Sequence, residues 1–378
     1  MNRLVYVSQL RYPTEKAYGV TVGNTLSAAR RIDLEALVLT WGKSGKDEFG
    51  NEISTLARRP IRAPRRLLDS KFKVVAKLAF SLNQVIFGVY LALSPKHGAK
   101  RFIYWTREPL TLMIHSLLFK NSRYLIESHH RLSPTNRLVV KLLRIRNQVQ
   151  LIVISERAAE MHRRDFSDIP VSILPMGVPD SFFTQEKRKS NSDFCVGYLG
   201  KGFSSGFDNK LGVIIQAASS LQDLSFVKFI FIGLEPSYRS RLQDQICEKG
   251  LNPSNFEFVE HVQHKDVPSF LMKLDIGILP YATSPYNEER FPIKVLEYAA
   301  CGLPIVATDT QVHKELLDSK FTLFYVEDNP DSLGNAILKL TNDEFLYDSM
   351  VHAAQDFASK FKYDFRARQL LQTLLNFR

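Results

Sequence analysis

Two glutamates that flank seven residues, Glu289 and Glu297, stand where the chain reads as loop, helix, glycine stop and strand. The stretch Glu289-Arg290-Phe291-Pro292-Ile293-Lys294 leads into an apolar run that ends at Gly302, with Pro304 and the β-branched pair Ile305-Val306 beyond it. Pro292 suits the first helical position, where no N–H is needed, and Gly302 suits a left-handed C-cap. On that reading Glu289 lies just outside a helix N-terminus, where the unpaired N–H groups of Ile293 and Lys294 can hold a phosphate. Glu297 lies further in, and a carboxylate there can accept two hydrogen bonds from a vicinal diol such as a ribose. The plain alternative is a pair of solvated helix glutamates.

Three further segments carry chemistry. Val196-Gly197-Tyr198-Leu199-Gly200-Lys201-Gly202, with Lys210 soon after, combines a strand, a glycine-rich turn and basic residues. That combination can cradle a phosphate, or it can be a solvated loop. Glu127-Ser128-His129-His130 places two histidines just past a strand, without a third nitrogen or sulfur ligand at metal spacing. Tyr12 to Val20 reads as a loop entering a helix, where Gly19 permits close approach of backbone to a ligand.

Together these residues resemble the retaining glycosyltransferases of family 4 (glycosyltransferase group 1, GT-B fold), and the resemblance extends over most of the chain. It implies that Glu297 holds the donor ribose and that Glu289 and His129 lie at the transferred sugar, beside the aromatic turn at Phe291. It also implies that Lys201 and Lys210 neutralise the donor diphosphate, with Gly19 facing the donor phosphate and the acceptor. The family's Gly-Phe-Gly after the first glutamate reads Arg290-Phe291-Pro292 here. Its diphosphate-binding arginine is Lys201, which exchanges a bidentate contact for a point charge. Ile173-Leu174-Pro175-Met176-Gly177-Val178 resembles the segment closing the family's first domain, with a structural role.

The elements that must position these residues alternate along the chain. Strand-like segments begin near Leu4, Leu34, Phe102, Tyr124 and Leu151, with a helix over Val20–Ile32. After the polar linker Lys187–Asp193, strands follow near Cys195, Phe229, Phe256, Ile276, Ile305 and Phe321, with helices between them. Such alternation predicts parallel sheets covered by helices, binding ligands at the carboxyl ends of their strands. The expected fold is α/β, with two facing Rossmann-like domains and an interdomain cleft. The acceptor domain is expected over 1–186, the donor domain over 194–360, and a C-terminal helix of about 361–378 returns to the first domain.

The 378 residues suit two domains. Three scattered cysteines indicate a reducing compartment, and no secretory signal precedes the first strand, so a cytoplasmic location is expected. Residues 1–190 hold 32 Lys and Arg against 15 Asp and Glu, a net of +17, whereas residues 191–378 hold 18 against 24, a net of −6. Much of the excess lies in residues 58–93, where Arg58 to Lys77 precede an apolar helical run through Leu68, Phe72, Val75, Ala79, Leu82, Ile86 and Val89. Asn83, Gln84 and Gly88 leave that run short of the roughly 20 residues that span a bilayer. It reads equally as a buried domain helix or as a peripheral element on an anionic membrane surface at the inner face of the plasma membrane.

The resemblance, together with the basic charge of the first half, implies an enzyme that moves a sugar from a nucleotide-diphosphate sugar to a glycan or lipid-linked acceptor, as in bacterial lipopolysaccharide, capsule or exopolysaccharide synthesis. Retention of configuration is what the resemblance implies. No Asp-x-Asp occurs, so no obligatory metal and no separate cofactor are expected. One rival is a nucleotide-sugar 2-epimerase of the same architecture. The other is a basic, non-catalytic binding protein for nucleic acid, against which residues 58–71 offer no aromatic for base stacking.

Overall fold

Alternating β-branched runs and amphipathic segments assemble into two α/β units, Met1–Gly177 with Tyr363–Arg378, and Val178–Lys362. The computed structural model describes the chain apart from residues 1–2, 11, 15–16, 42–43, 57–62, 69–71, 96–101, 184–192, 205–206, 285–286, 288–291 and 378. The expected linker therefore lies almost wholly outside the described residues, as do Glu289 and Phe291.

The first unit contains β1 (Arg3–Val7), α1 (Ala17–Arg31), β2 (Ala36–Thr40), β3 (Gly45–Lys46), β4 (Glu52–Thr55), α2 (Arg65–Leu68) and α3 (Lys73–Leu93). It continues with β5 (Phe102–Thr106), α4 (Met113–Leu118), β6 (Arg123–Ser128), α5 (Pro134–Arg146), β7 (Gln148–Val153), α6 (Glu156–Asp165) and β8 (Val171–Ile173). The sheet order is β3-β4-β2-β1-β5-β6-β7-β8, parallel except for the short antiparallel β3–β4 pair. Because strand side chains alternate faces, Leu4 and Tyr6 join one core with helix α1, while Val5 and Val7 join another with Phe87, Leu91, Val140 and Leu143.

The second unit contains β9 (Phe194–Leu199), the hairpin β10 (Phe203–Ser204) and β11 (Phe207–Asp208), α7 (Gly212–Ser220), β12 (Val227–Ile232) and α8 (Pro236–Glu248). Then come β13 (Phe256–Val259), α9 (Val267–Leu271), β14 (Ile276–Leu279), α10 (Ile293–Ala300), β15 (Ile305–Thr308), α11 (Gln311–Leu316), β16 (Thr322–Tyr325), α12 (Pro330–Asn342) and α13 (Glu344–Ser359). All six main strands are parallel, in the order β13-β12-β9-β14-β15-β16. The order reverses between β9 and β14, which is where doubly wound sheets bind ligands.

The final helix, α14 (Tyr363–Leu375), packs with α1 on the first unit through Ala367, Leu370 and Leu374. Helix α3 departs from the expected apolar stripe. Its buried side runs through Ala79, Asn83, Phe87 and Leu91, leaving Leu82 and Val89 exposed. Asn83 is buried because its side chain accepts a hydrogen bond from the Ala63 N–H, at 2.8 Å. The helix also reaches membrane-spanning length over Val74–Leu93, since Asn83, Gln84 and Gly88 do not interrupt it. A third of that span is buried within the unit.

Candidate functional site

Helix α10 starts one residue later than expected. Pro292 is its N-cap, with φ −72° and ψ 113°, and Ile293 is the first helical residue. Its C-terminus is a Schellman motif: Gly302, at φ +69°, donates to the Ala299 carbonyl and Leu303 donates to the Tyr298 carbonyl, both at 3.0 Å. The glycine stop thus fixes where the helix ends and which face carries Glu297. Glu297 is buried, and its Oε1 lies 2.8 Å from Nε2 of His264, a residue just past β13. An ionised carboxylate only accepts, so Nε2 carries the proton and donates. His264 in turn lies against the Phe182 ring, at 5.5 Å between centroids. No sequence signal singled out His264, because its spacing from Glu297 follows no motif.

Lys294 lies three residues before Glu297, on the same helix face. Its ammonium donates to the Tyr281 hydroxyl at 3.0 Å and the Tyr198 hydroxyl at 3.4 Å. It also lies 4.7 Å from the centroid of the Tyr198 ring and 5.5 Å from that of Tyr281, within cation–π range. Tyr198 belongs to β9 and Tyr281 follows β14, so this cation sits at the switch point of the sheet. Burial raises the Tyr198 phenol pKa, with Lys294 pulling the other way. Gly200, at φ +135°, is what lets the ammonium in, since a Cβ there would come within 2.2 Å of Lys294 Nζ.

The two lysines matched to diphosphate binding are held differently. Lys201 is exposed and 3.6 Å from Glu235. Lys210 pairs with Asp328 at 3.0 Å, which raises its pKa. Its backbone is left-handed, at φ +60°, a conformation unusual for a side chain of this kind. Asp208 supports it by accepting from the Lys210 N–H at 2.8 Å. Tyr238 also donates to Asp208, as does Arg241 at 2.8 Å, while the Arg241 guanidinium covers the Tyr238 ring at 4.1 Å. Burial pushes the Asp208 pKa up, but these donors outweigh it and hold the group below the ordinary carboxylate value.

In the first unit the central group is Glu127, which lies beside His129 at the end of β6. Its Oε1 accepts from Arg107 and Arg366, both at 2.9 Å, and lies 2.8 Å from His129 Nε2. Its Oε2 accepts from the Trp105 indole at 3.1 Å. Burial opposes the Glu127 charge, yet the two guanidinium groups win and hold its pKa well below the usual range. Burial and the nearby Arg107 lower the His129 pKa to about 4 despite Glu127. His129 is therefore neutral at physiological pH, with its proton on Nε2 and Nδ1 left as the acceptor.

Gly19 differs from expectation. It lies within the first turn of α1, and the space a Cβ would occupy is filled by Thr14, whose carbonyl oxygen would be 2.4 Å away. The close approach it permits is that of its own loop. The 173–178 segment is structural: Leu174, Met176 and Val178 are buried, and Arg366 donates to the Leu174 and Pro175 carbonyls.

Known proteins share this fold and part of this sequence. Residues 195–343 match the family profile described as "Glycosyl transferases group 1". A Bacillus subtilis protein named as a teichuronic acid biosynthesis glycosyltransferase, TuaH, is 29% identical over 141 residues, 37% of this chain and 34% of that protein. A Methanocaldococcus jannaschii protein named as an uncharacterized glycosyltransferase, MJ1178, is 26% identical over 163 residues, 43% of this chain and 44% of that protein. The chain thus spans between a third and a half of the curated relatives it matches. Anabaena Alr3699/HepE, solved with UDP and glucose, superposes with a TM-score of 0.71 at 16% identity, covering 100% of both chains. The chain therefore has the GT-B fold, and its second unit carries the match to the group 1 glycosyl transferases.

Proposed function

We propose that the protein transfers a sugar from a nucleotide-diphosphate sugar to a glycan or lipid-linked acceptor in bacterial surface-polysaccharide assembly, with retention of anomeric configuration and no obligatory metal. The observation that carries this reading is the pairing of Lys294 and Glu297 on one face of α10 at the switch point of the second sheet. A cation there suits a diphosphate, and a buried carboxylate one turn on suits a ribose diol. Lys210 adds a second cation, and its exposed pair with Asp328 is worth at most about 1 kcal/mol, so a diphosphate can displace it at little cost. Positive charge beside the leaving diphosphate stabilises the charge that develops in the transition state. His129 offers an acceptor nitrogen to a sugar hydroxyl, and the family resemblance gives Glu289, outside the described residues, a role at the transferred sugar. The UDP and glucose held by HepE and the teichuronic acid pathway of TuaH support this class of donor and product.

A thermal-shift screen of nucleoside diphosphates and nucleotide sugars identifies the donor, since native-state ligands raise the melting temperature. Calorimetry on Glu297→Ala is then expected to show roughly 10- to 100-fold weaker donor binding, the loss of a hydrogen bond to a charged group. Lys210→Ala is expected to lower turnover more than affinity. Unchanged donor affinity in Glu297→Ala removes the carboxylate from the site. Isomerised donor in the absence of any acceptor makes the reaction an epimerisation instead.

A further inference from the structure

We propose that the outer surface of α3, α4 and α5 docks the protein on an anionic lipid bilayer. The sequence pointed to residues 58–93 alone, whereas the geometry points to a face built from three helices. Phe87 and Leu91 of α3 share one buried cluster with Val139, Val140 and Leu143 of α5, so both helices cover the same side of the first sheet, and α4 packs between them. Their outward sides therefore form one surface.

That surface is apolar to a degree that packing does not explain. On α3, Val74, Leu78, Leu82, Val89 and Leu93 are exposed, Val74 by 69% and Leu93 by 70%. At about 100° per residue these positions fall within roughly one quarter of the helix circumference. Leu117 and Leu118 of α4 are exposed beside them. Helix α5 turns Val139, Val140 and Leu143 inward and leaves Leu138, Leu142 and Ile145 outside, Ile145 by 75%. Scattered exposed leucines are ordinary, but three adjacent helices each presenting an apolar outer side mark a docking surface.

Charge selects the occupant. The three helices contain no Asp or Glu, and they carry Lys73, Lys77, Arg137, Lys141, Arg144 and Arg146. Arg137 and Arg144 pair with Asp165 and Asp168, at and just past the end of α6, which leaves Lys77 and Lys141 as the exposed cations among the apolar residues. An apolar face carrying such cations is complementary to the headgroups and upper acyl region of an anionic leaflet. A second copy of the same face would bring like charges together. The core contacts of α3 hold that helix on its unit, so the fit is to a helix lying in the interface plane.

The test is co-sedimentation of the full chain with phosphatidylcholine vesicles with and without phosphatidylglycerol. Binding is expected to require the anionic lipid and to weaken as salt rises. The double variant Leu78→Glu with Leu82→Glu should bind at least ~10-fold more weakly, because each leucine side chain loses its apolar transfer. Ile145→Glu, on a different helix, should weaken binding in the same direction, and so should Lys77→Glu with Lys141→Glu. All three sets replace exposed side chains, and unchanged circular-dichroism melting checks that they fold. No binding to anionic vesicles, or binding indifferent to both the α3 and the α5 variants, overturns the proposal. Self-association in the absence of lipid that is lost in Leu78→Glu with Leu82→Glu also overturns it, by assigning the face to a second copy. None of these readouts uses sugar transfer, so the result stands apart from the donor chemistry.

Discussion

Among the described residues the Glu297 carboxylate has one hydrogen-bond partner, His264, whereas that of Glu127 has four. One carboxylate is left with capacity for a ligand, and the other is committed to the fold. The arrangement around Glu127 sets the state of His129, because a third cation beside Arg107 and Arg366 is opposed by charge as well as burial. NMR should therefore show His129 neutral and protonated on Nε2 through pH 6, titrating near 4. The sign for stability follows: the unfolded ring takes up a proton below about 6.5 and the folded one does not. Its contribution is present above that pH and is lost as the pH falls toward 4. His129→Gln should flatten this acid limb in denaturation at pH 7 and pH 5. A His129 titration near 6.5 would contradict the assignment. The type and position of Glu297 and His129 were legible in the chain, but their partners were not. Arg366 lies 239 residues from Glu127 and His264 lies 33 from Glu297.

At the scale of elements, α14 is tied to the first unit by a buried arginine. Arg366 donates to Glu127, to the Leu174 and Pro175 carbonyls and, at 3.0 Å, to Thr25 Oγ1, so it joins α14 to β6, to α1 and to the segment after β8. Glu127→Ala leaves the Arg107 and Arg366 guanidinium groups buried without their shared anion. Such a loss costs about 3–5 kcal/mol, so urea denaturation should show a drop of that size in the first unit. A loss below ~1 kcal/mol would mean that water compensates both cations. The return of the last helix was expected from family resemblance, while the residue that holds it was not. A charged residue inside the apolar strand Tyr124-Leu125-Ile126 was the available signal. Helix α10 shows the opposite case. Its glycine stop and following strand are encoded locally, so the sequence located them to within a residue. For α3, composition marked an apolar helix, but the side that faces inward depended on α4, α5 and the sheet.

On the scale of the molecule, each unit has its own, mainly parallel sheet, and the net charge is divided as sharply as the fold. The residues proposed to bind the donor, Lys294, Glu297 and Lys210, all lie in Val178–Lys362, while the proposed basic and apolar docking surface lies in the first unit. Calorimetric melting should therefore resolve two transitions, and a bound nucleoside diphosphate should raise the one belonging to residues 178–362 more than the other. Equal shifts of both transitions would assign the nucleotide to both units.

By itself the sequence determined the class of fold, the order of the elements, the helix carrying Glu297 and the basic bias of the first half. These depend on periodicity, turn chemistry and composition, which act over a few residues. The tertiary structure decided which distant cation meets the glycine turn after β9, bringing Lys294 against Gly200 while Lys201 lies near Glu235. It also decided that Gly19 packs on Thr14, that Glu127 is a keystone, and that the exposed apolar side of α3 joins those of α4 and α5. Each of these pairs groups distant in sequence or chooses one face of an element, and close packing, not local preference, makes that choice.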